Sequence, residues 1–167
     1  METYEYYAFR FLSQWHENEF ALYMAISAKP EEAQVRKALS YFQVSRNFKG
    51  IDKPGNLTFI VQSLQAVCCN LSLSAPVVKV NKLASVFKSR FGQLNVSAAS
   101  KLLWLSYRCP YIICDSRATK ALKKEFHHRR ADESYEEYVD AWRSEFTNHK
   151  KQIEDAANAL PRARLGD

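Results

Sequence analysis

Two side chains in the second half of the chain have the types and spacing that chemistry at a sugar carbon needs. Lys101 falls in the first turn of an expected helix, and Asp115, fourteen positions later, falls at the start of the next. A helix from Ala98 to Tyr107 rises about 15 Å at 1.5 Å per residue. The connector Arg108 to Cys114, at up to ~3.3 Å per residue, can run back over that length. The two side chains can therefore face one another across a cleft, both near helix N-termini. The positive end of a helix dipole disfavours an ammonium ion, and Arg108 and Arg117 push the same way if close in space. A lysine with a lowered pKa supplies free amine near neutrality, as a Schiff-base nucleophile requires. A carboxylate beside it can stabilise an oxocarbenium ion at a sugar C1′ or orient an attacking water. Taken singly, the same residues fit plainer roles, an exposed lysine and a capping aspartate.

The elements that must position this pair read as helices throughout. Apolar side chains recur with helical period from Tyr4 to Ala28, through Tyr7, Phe11, Trp15, Phe20, Tyr23, Met24 and Ile26. Lys29-Pro30-Glu31-Glu32 restarts a helix that runs through Val35, Leu39 and Phe42. Phe48 to Asn56 is a loop with breakers at both ends. Leu57 to Asn70 reads as a buried central helix, although Thr58, Phe59, Ile60 and Val61 would also suit a strand. After Pro76 a short apolar run (Val77, Val78, Val80) leads into a basic amphipathic helix, Asn81 to Phe91, which Gly92 ends. Ser97 is the expected N-cap of Ala98 to Tyr107, and Cys109-Pro110 the stop. Tyr111 to Ile113 is extended, and Asp115 or Ser116 caps a helix from Arg117 to Phe126. A polar break at Arg129 to Ser134 precedes a last helix from Tyr135 towards Ala159. The expected architecture is all-α, a single helical domain over residues 1–160 with a tail at 161–167.

Composition narrows the function classes. The 167 residues suit one domain, and 47% hydrophobic with 25% charged residues excludes wholesale disorder. Only 4 glycines disfavour a hairpin-rich β fold. A net charge of +6 invites a polyanionic partner. No segment reaches the roughly 18 consecutive apolar residues that would span a bilayer, and the acidic, aromatic opening Met1-Glu2-Thr3-Tyr4-Glu5 is unlike a signal peptide, so a cytoplasmic location is expected. The 4 cysteines form no Cys-x-x-Cys pair and have no histidine at zinc-finger spacing, so no metal and no other cofactor is expected. Cys68-Cys69 reads as buried helix surface, and His127-His128 as surface residues, since adjacent side chains leave a helix in different directions.

Ser97-Ala98-Ala99-Ser100-Lys101-Leu102-Leu103-Trp104, followed by Cys109-Pro110-Tyr111-Ile112-Ile113-Cys114-Asp115-Ser116-Arg117, resembles the core of the 8-oxoguanine DNA glycosylase fold, in the helix-hairpin-helix DNA glycosylase superfamily. The similar stretch covers about residues 94–122, and the chain would be a reduced, prokaryotic-type member. The resemblance implies Lys101 as the Schiff-base or nucleophilic lysine, Asp115 as the essential carboxylate, and a helical domain that flips a damaged or modified base out of double-stranded DNA. The family's hairpin reads Leu-Pro-Gly-x-Gly before its lysine. Here Leu94 to Ser100 holds no glycine, so the hairpin is degenerate, and amides at the helix N-terminus are left to bind phosphate. The implied product is an abasic site, with a lyase step open to the lysine adduct. Oxidised-guanine repair and anti-phage defence against hypermodified cytosine are both compatible.

Basic residues cluster around this core. Lys79, Lys82, Lys88 and Arg90 precede it, and Lys123, Lys124, His127, His128, Arg129 and Arg130 follow. Ser97, Ser100, Arg108, Arg117, Lys120 and Lys124 are the candidate DNA-binding side chains. The same run can also be a solvated face with ordinary ion pairs, such as Glu125 with Arg129. A flipped base needs aromatic surface to stack on. Trp142 and Phe146 on the last helix, and Trp15 or Phe11 on the first, are candidates, although their spacing equally suits a buried stripe. Two alternatives stand beside the enzyme: a non-catalytic DNA-binding module on the same fold, and a helical protein-interaction domain with a basic face.

Overall fold

The computed structural model describes residues 4–159; the expected tail at 161–167 lies outside the described residues. The described chain is all-α. Its helices are α1 (Tyr4–Gln14), α2 (Phe20–Ala28), α3 (Glu32–Tyr41), α4 (Asn56–Cys69), α5 (Pro76–Phe91), α6 (Val96–Tyr107), α7 (Ser116–Lys124) and α8 (Tyr135–Ala159). A π-helical turn, Trp15–Glu19, joins α1 to α2, and a short 3₁₀ turn, Ser45–Asn47, follows α3. None of the described helices is long and apolar enough to cross a membrane.

The core is built around α6. Ala98 to Leu103 and Leu105 are all buried, so this helix is covered on nearly every side. It packs against α2, α3, α4 and α5. α4 supplies Leu57, Ile60, Val61, Leu64 and Val67, and α5 supplies Val80, Leu83, Ala84, Phe87 and Phe91. Phe48 fills the gap under the loop before α4, edge-to-face on Phe87 and Phe91 at 5.1 and 5.0 Å. The segment expected as a helix from Leu57, despite its strand-forming side chains, is helical as α4 because a largely apolar stretch set among helices finds no strand partner and satisfies its own backbone as a helix.

Three boundaries differ from the sequence expectation. α5 begins at Pro76 rather than Asn81: proline stands in the first helical turn, where its missing N–H costs no hydrogen bond, and Val80 is buried as part of the helix. α6 begins at Val96, with Asn95 rather than Ser97 at its N-cap. Asn95 is drawn there by a tertiary bond, its Nδ2 donating to the Asn47 carbonyl at 3.1 Å, and Ser97 falls inside the first turn, where its hydroxyl accepts from Lys101. α7 stops at Lys124, two residues short of Phe126. The N-terminal periodicity has a different meaning from core packing: no residue of α1 is buried, Tyr7 and Phe11 are exposed, and α1 lies against α8. Gly92 closes α5 at φ +75°, the left-handed position that glycine adopts without strain.

Leu102 is fully buried at the centre of this packing. Leu102→Ala is expected to cost about 3 kcal/mol through reduced burial and the cavity left behind. A melting midpoint lowered by roughly 6–12 °C checks it.

Candidate active site

Lys101 and Asp115 meet. The Lys101 Nζ lies 3.6 Å from Asp115 Oδ2, with the lysine side chain 6% exposed and the aspartate 41%. Lys101 sits in the second turn of α6, where Ala98, Ala99, Leu102 and Leu103 commit the helix to the core and carry the lysine in with them. Its ammonium donates to Ser97 Oγ at 2.9 Å, one turn back, and lies 5.7 Å from the Phe42 ring centroid. Asp115 is the N-cap of α7. Its Oδ1 accepts from the Arg117 amide at 2.8 Å, and this fixes the carboxylate so that Oδ2 is the oxygen turned to Lys101.

The connector that brings Asp115 back along α6 is anchored from two sides. On the α6 side, the Cys114 amide donates to Ser100 Oγ at 3.0 Å, and that hydroxyl donates in turn to the Ser97 carbonyl. On the α8 side, the Tyr135 and Tyr138 hydroxyls donate to the Ile112 and Ile113 carbonyls at 2.7 and 2.8 Å. These backbone groups of the extended piece thus find side chains where a sheet partner is lacking.

The pair lies in a cleft of about 1140 Å³ between α3, α6 and α7. Arg46, Arg117, Lys120, Lys123 and Lys124 join Lys101 in lining it. Glu19, Asp115 and Asp132 are the carboxylates there, Asp132 being ion-paired with Lys123. Cations thus outnumber acids around the opening, and an anionic ligand is favoured there.

Burial pushes the Lys101 pKa down; the Asp115 charge and hydrogen bond, and Cys114, pull it back up. This direction matches the expectation, but the cause differs. Desolvation is responsible, not Arg108, whose guanidinium folds away onto the Trp15 ring at 3.9 Å and lies 5.6 Å from the Trp104 ring. Cys114, beside the pair, is also pushed up by burial.

The other expected residues divide. Arg117, Lys120 and Lys124 line the cleft, as does Ser97. Ser100 is fully buried and holds backbone, so it faces no ligand. Arg108 is engaged with the two tryptophans and lies outside the cleft lining. Trp142 and Phe146 stack in parallel at 5.4 Å on the exposed face of α8 and do not reach the cleft, nor does Phe11. Trp15 is core, edge-on to Trp104 at 6.0 Å. The aromatic side chains that do line the cleft are Tyr41 and Phe42. Their position at the C-terminal end of α3 gives no motif; only the packing of α3 on α6 puts them there.

The remaining positive charge is spread elsewhere. Lys79 donates to the Cys68 carbonyl and Arg90 to Asn56 Oδ1, both on the α4–α5 side. Arg130 pairs with Glu133 and Glu137, and His128 with Glu145 at 2.7 Å, while the Glu125–Arg129 pair is not formed. Cys68 is half-buried and Cys69 exposed, and all four cysteines are free. Among the described residues no group of three or more His, Cys, Asp or Glu side chains could hold a metal ion. No protein-family profile, curated protein or solved structure matches the chain.

The buried ammonium gives a stability test. A folded-state lysine pKa below the ordinary 10.5 means that the unfolded chain binds more protons between the two values. Wild-type stability therefore rises with pH through that window, and the penalty is fully present below it. Lys101→Met removes the buried charge and leaves Asp115 solvated and capped. Its denaturant midpoint is expected at or above the wild-type value at pH 7, with the difference moving in favour of wild type as pH approaches 10.5.

Proposed function

We propose that the chain is a DNA glycosylase that excises a damaged or modified base from double-stranded DNA. The observation that carries this reading is the desolvated Lys101 ammonium held against a helix-capping carboxylate in a cleft ringed by cations. The resemblance of residues 94–122 to the 8-oxoguanine glycosylase core supports the same reading.

The rim cations hold the phosphates on either side of a target nucleotide, and the base and sugar enter the cleft. As the N-glycosidic bond lengthens, positive charge develops at C1′. Asp115 Oδ2, fixed through its partner oxygen on the Arg117 amide, faces that charge without having to reorganise. The bonding pair departs with the base, which takes up the proton that Lys101 loses. The free amine adds to C1′, and transfer of a second proton from its nitrogen to O4′ opens the sugar ring to a Schiff base. Hydrolysis of that adduct leaves an abasic site; loss of the C2′ proton before hydrolysis eliminates the 3′ phosphate and nicks the strand. Ser97 Oγ, 2.9 Å from the nitrogen, positions the amine between these steps.

The deciding experiment counts aldehyde-reactive abasic sites on duplexes carrying 8-oxoguanine, uracil or alkylated bases, and on DNA from phages that modify their cytosines. Signal is expected on at least one substrate and is expected to fall roughly 10²- to 10³-fold in Asp115→Asn, the scale on which removal of one preorganised charge-stabilising group is felt. Borohydride is expected to trap a covalent complex with wild type and none with Lys101→Met. Folded protein that binds DNA but releases no base from any of these would turn the reading to a non-catalytic DNA-binding module. A separate measurement addresses the rim: Lys120→Ala with Lys124→Ala is expected to weaken binding to every duplex alike and to lower the slope of log K against log salt by about 2, one for each phosphate that is no longer neutralised.

A further inference from the structure

Glu19 is a buried carboxyl that the proposed chemistry does not use. It is the last residue of the π-helical turn Trp15–Glu19, and it is 9% exposed. Such turns insert one residue into a helix and cluster at functional sites. Here the insertion turns Trp15 inward to the core and Glu19 inward to the cleft, where it joins Lys101 and Asp115 in the lining. No cation lies within ion-pair distance of it among the described residues. Its hydrogen-bond partner is a neutral phenol, Tyr41, which donates to Oε1 at 3.2 Å. Burial pushes the Glu19 carboxyl up, with the Tyr41 bond and the more distant Arg108 charge pulling back. Burial and Glu19 push Tyr41 up to about 12, so its hydroxyl stays a donor at neutral pH.

A carboxyl kept in this state costs stability unless something meets it. The geometry says where. Tyr41 and Phe42 pack edge-to-face at 5.0 Å, and the Lys101 ammonium lies 5.7 Å from the Phe42 ring. Successive contacts thus link Asp115, Lys101, Phe42, Tyr41 and Glu19 in the cleft lining. A nucleoside laid in that direction puts C1′ at the Lys101 end, its base against Phe42 and the base's outer edge at Glu19.

We infer that Glu19, oriented by Tyr41, is the specificity-determining residue of this cleft and selects bases that carry an exocyclic amino group on that edge. The inference rests on the reading that the cleft admits an extruded base. Whether ionised or protonated, a carboxyl keeps an acceptor oxygen for an amino N–H. A carbonyl in the amino position sets oxygen against oxygen when the carboxyl is ionised, and a bare C–H there leaves the buried carboxyl unpaired in either state.

The test uses duplexes that differ only in that amino group: 8-oxoguanine against 8-oxohypoxanthine, and 5-hydroxymethylcytosine against 5-hydroxymethyluracil. Binding is read by fluorescence anisotropy with the full chain carrying Asp115→Asn, so that no base is lost during the titration. With Glu19 intact, the amino-bearing member of at least one pair is expected to bind at least roughly tenfold more tightly, the worth of one base-edge contact. Glu19→Leu is expected to bring that ratio within about twofold. If the leucine variant melts early, Glu19→Met, equally without an acceptor but more adaptable in a core, carries the comparison. Glu19→Gln, which keeps one acceptor oxygen, is expected to retain part of the preference. A ratio near one with Glu19 intact, or a preference that survives both apolar variants, would overturn the assignment. The two readings fail separately. An amino preference that depends on Glu19, with no abasic sites from wild type, would keep the base-reading edge in a cleft that does not cleave. Abasic sites formed without any such preference would remove Glu19 from the site and leave the glycosylase standing.

Discussion

The structure depends on how the connector Arg108 to Cys114, a turn at Cys109-Pro110 followed by extended chain, is held between two helices. An extended segment inside a helical protein has no neighbouring strand, and each buried N–H or C=O it carries must be answered by a side chain. Ser100 answers from α6, and Tyr135 and Tyr138 answer from α8. These three hydroxyls clamp the segment from opposite sides. Because the segment runs directly into Asp115, the cap of α7, the clamp also sets where that carboxylate stands relative to α6. Backbone satisfaction thus brings groups fourteen residues apart to 3.6 Å, where their charges attract.

The electrostatics follow from that frame. A lysine on the buried face of α6 would ordinarily be replaced or would reach out to water. Here its nitrogen ends beside a serine hydroxyl, an aromatic ring and one carboxylate. The carboxylate is partly solvated, so it offsets the desolvation without cancelling it, and the amine stays easier to deprotonate than a surface lysine. A fully buried aspartate would have bound the ammonium firmly and held it charged. Partial exposure of one partner tunes the other.

Much of this is legible in the residues. Helical period and breaker positions place the long helices, with α5 starting five residues ahead of its expected start, because burial and helix stops are written locally. The Lys101–Asp115 spacing is legible too, since helix rise and connector reach bracket the meeting point. What stays hidden is tertiary. Tyr135 and Tyr138 have the spacing of a buried stripe and are buried, yet nothing local announces that their hydroxyls hold a connector. Glu19 looks like any acid in a polar stretch, His16 to Glu19, until the π turn rotates it inward. Trp142 and Phe146 illustrate the converse: their period is that of a buried stripe, and they lie on the outer face of the longest helix.

The cleft draws on widely separated parts of the chain. Gln14 and Glu19 come from its beginning, Tyr41 to Asn47 from its first third, and Lys123 and Asp132 from its later part. The clamp on the connector needs Tyr138, later still. During synthesis, then, Lys101 emerges long before the residues that aim Asp115 at it and before the cationic rim exists. A nascent chain, or one broken off before α8, carries Lys101 and Asp115 without the geometry that couples them. Assembly order alone therefore keeps the Lys101–Asp115 geometry from forming until the last helix has docked.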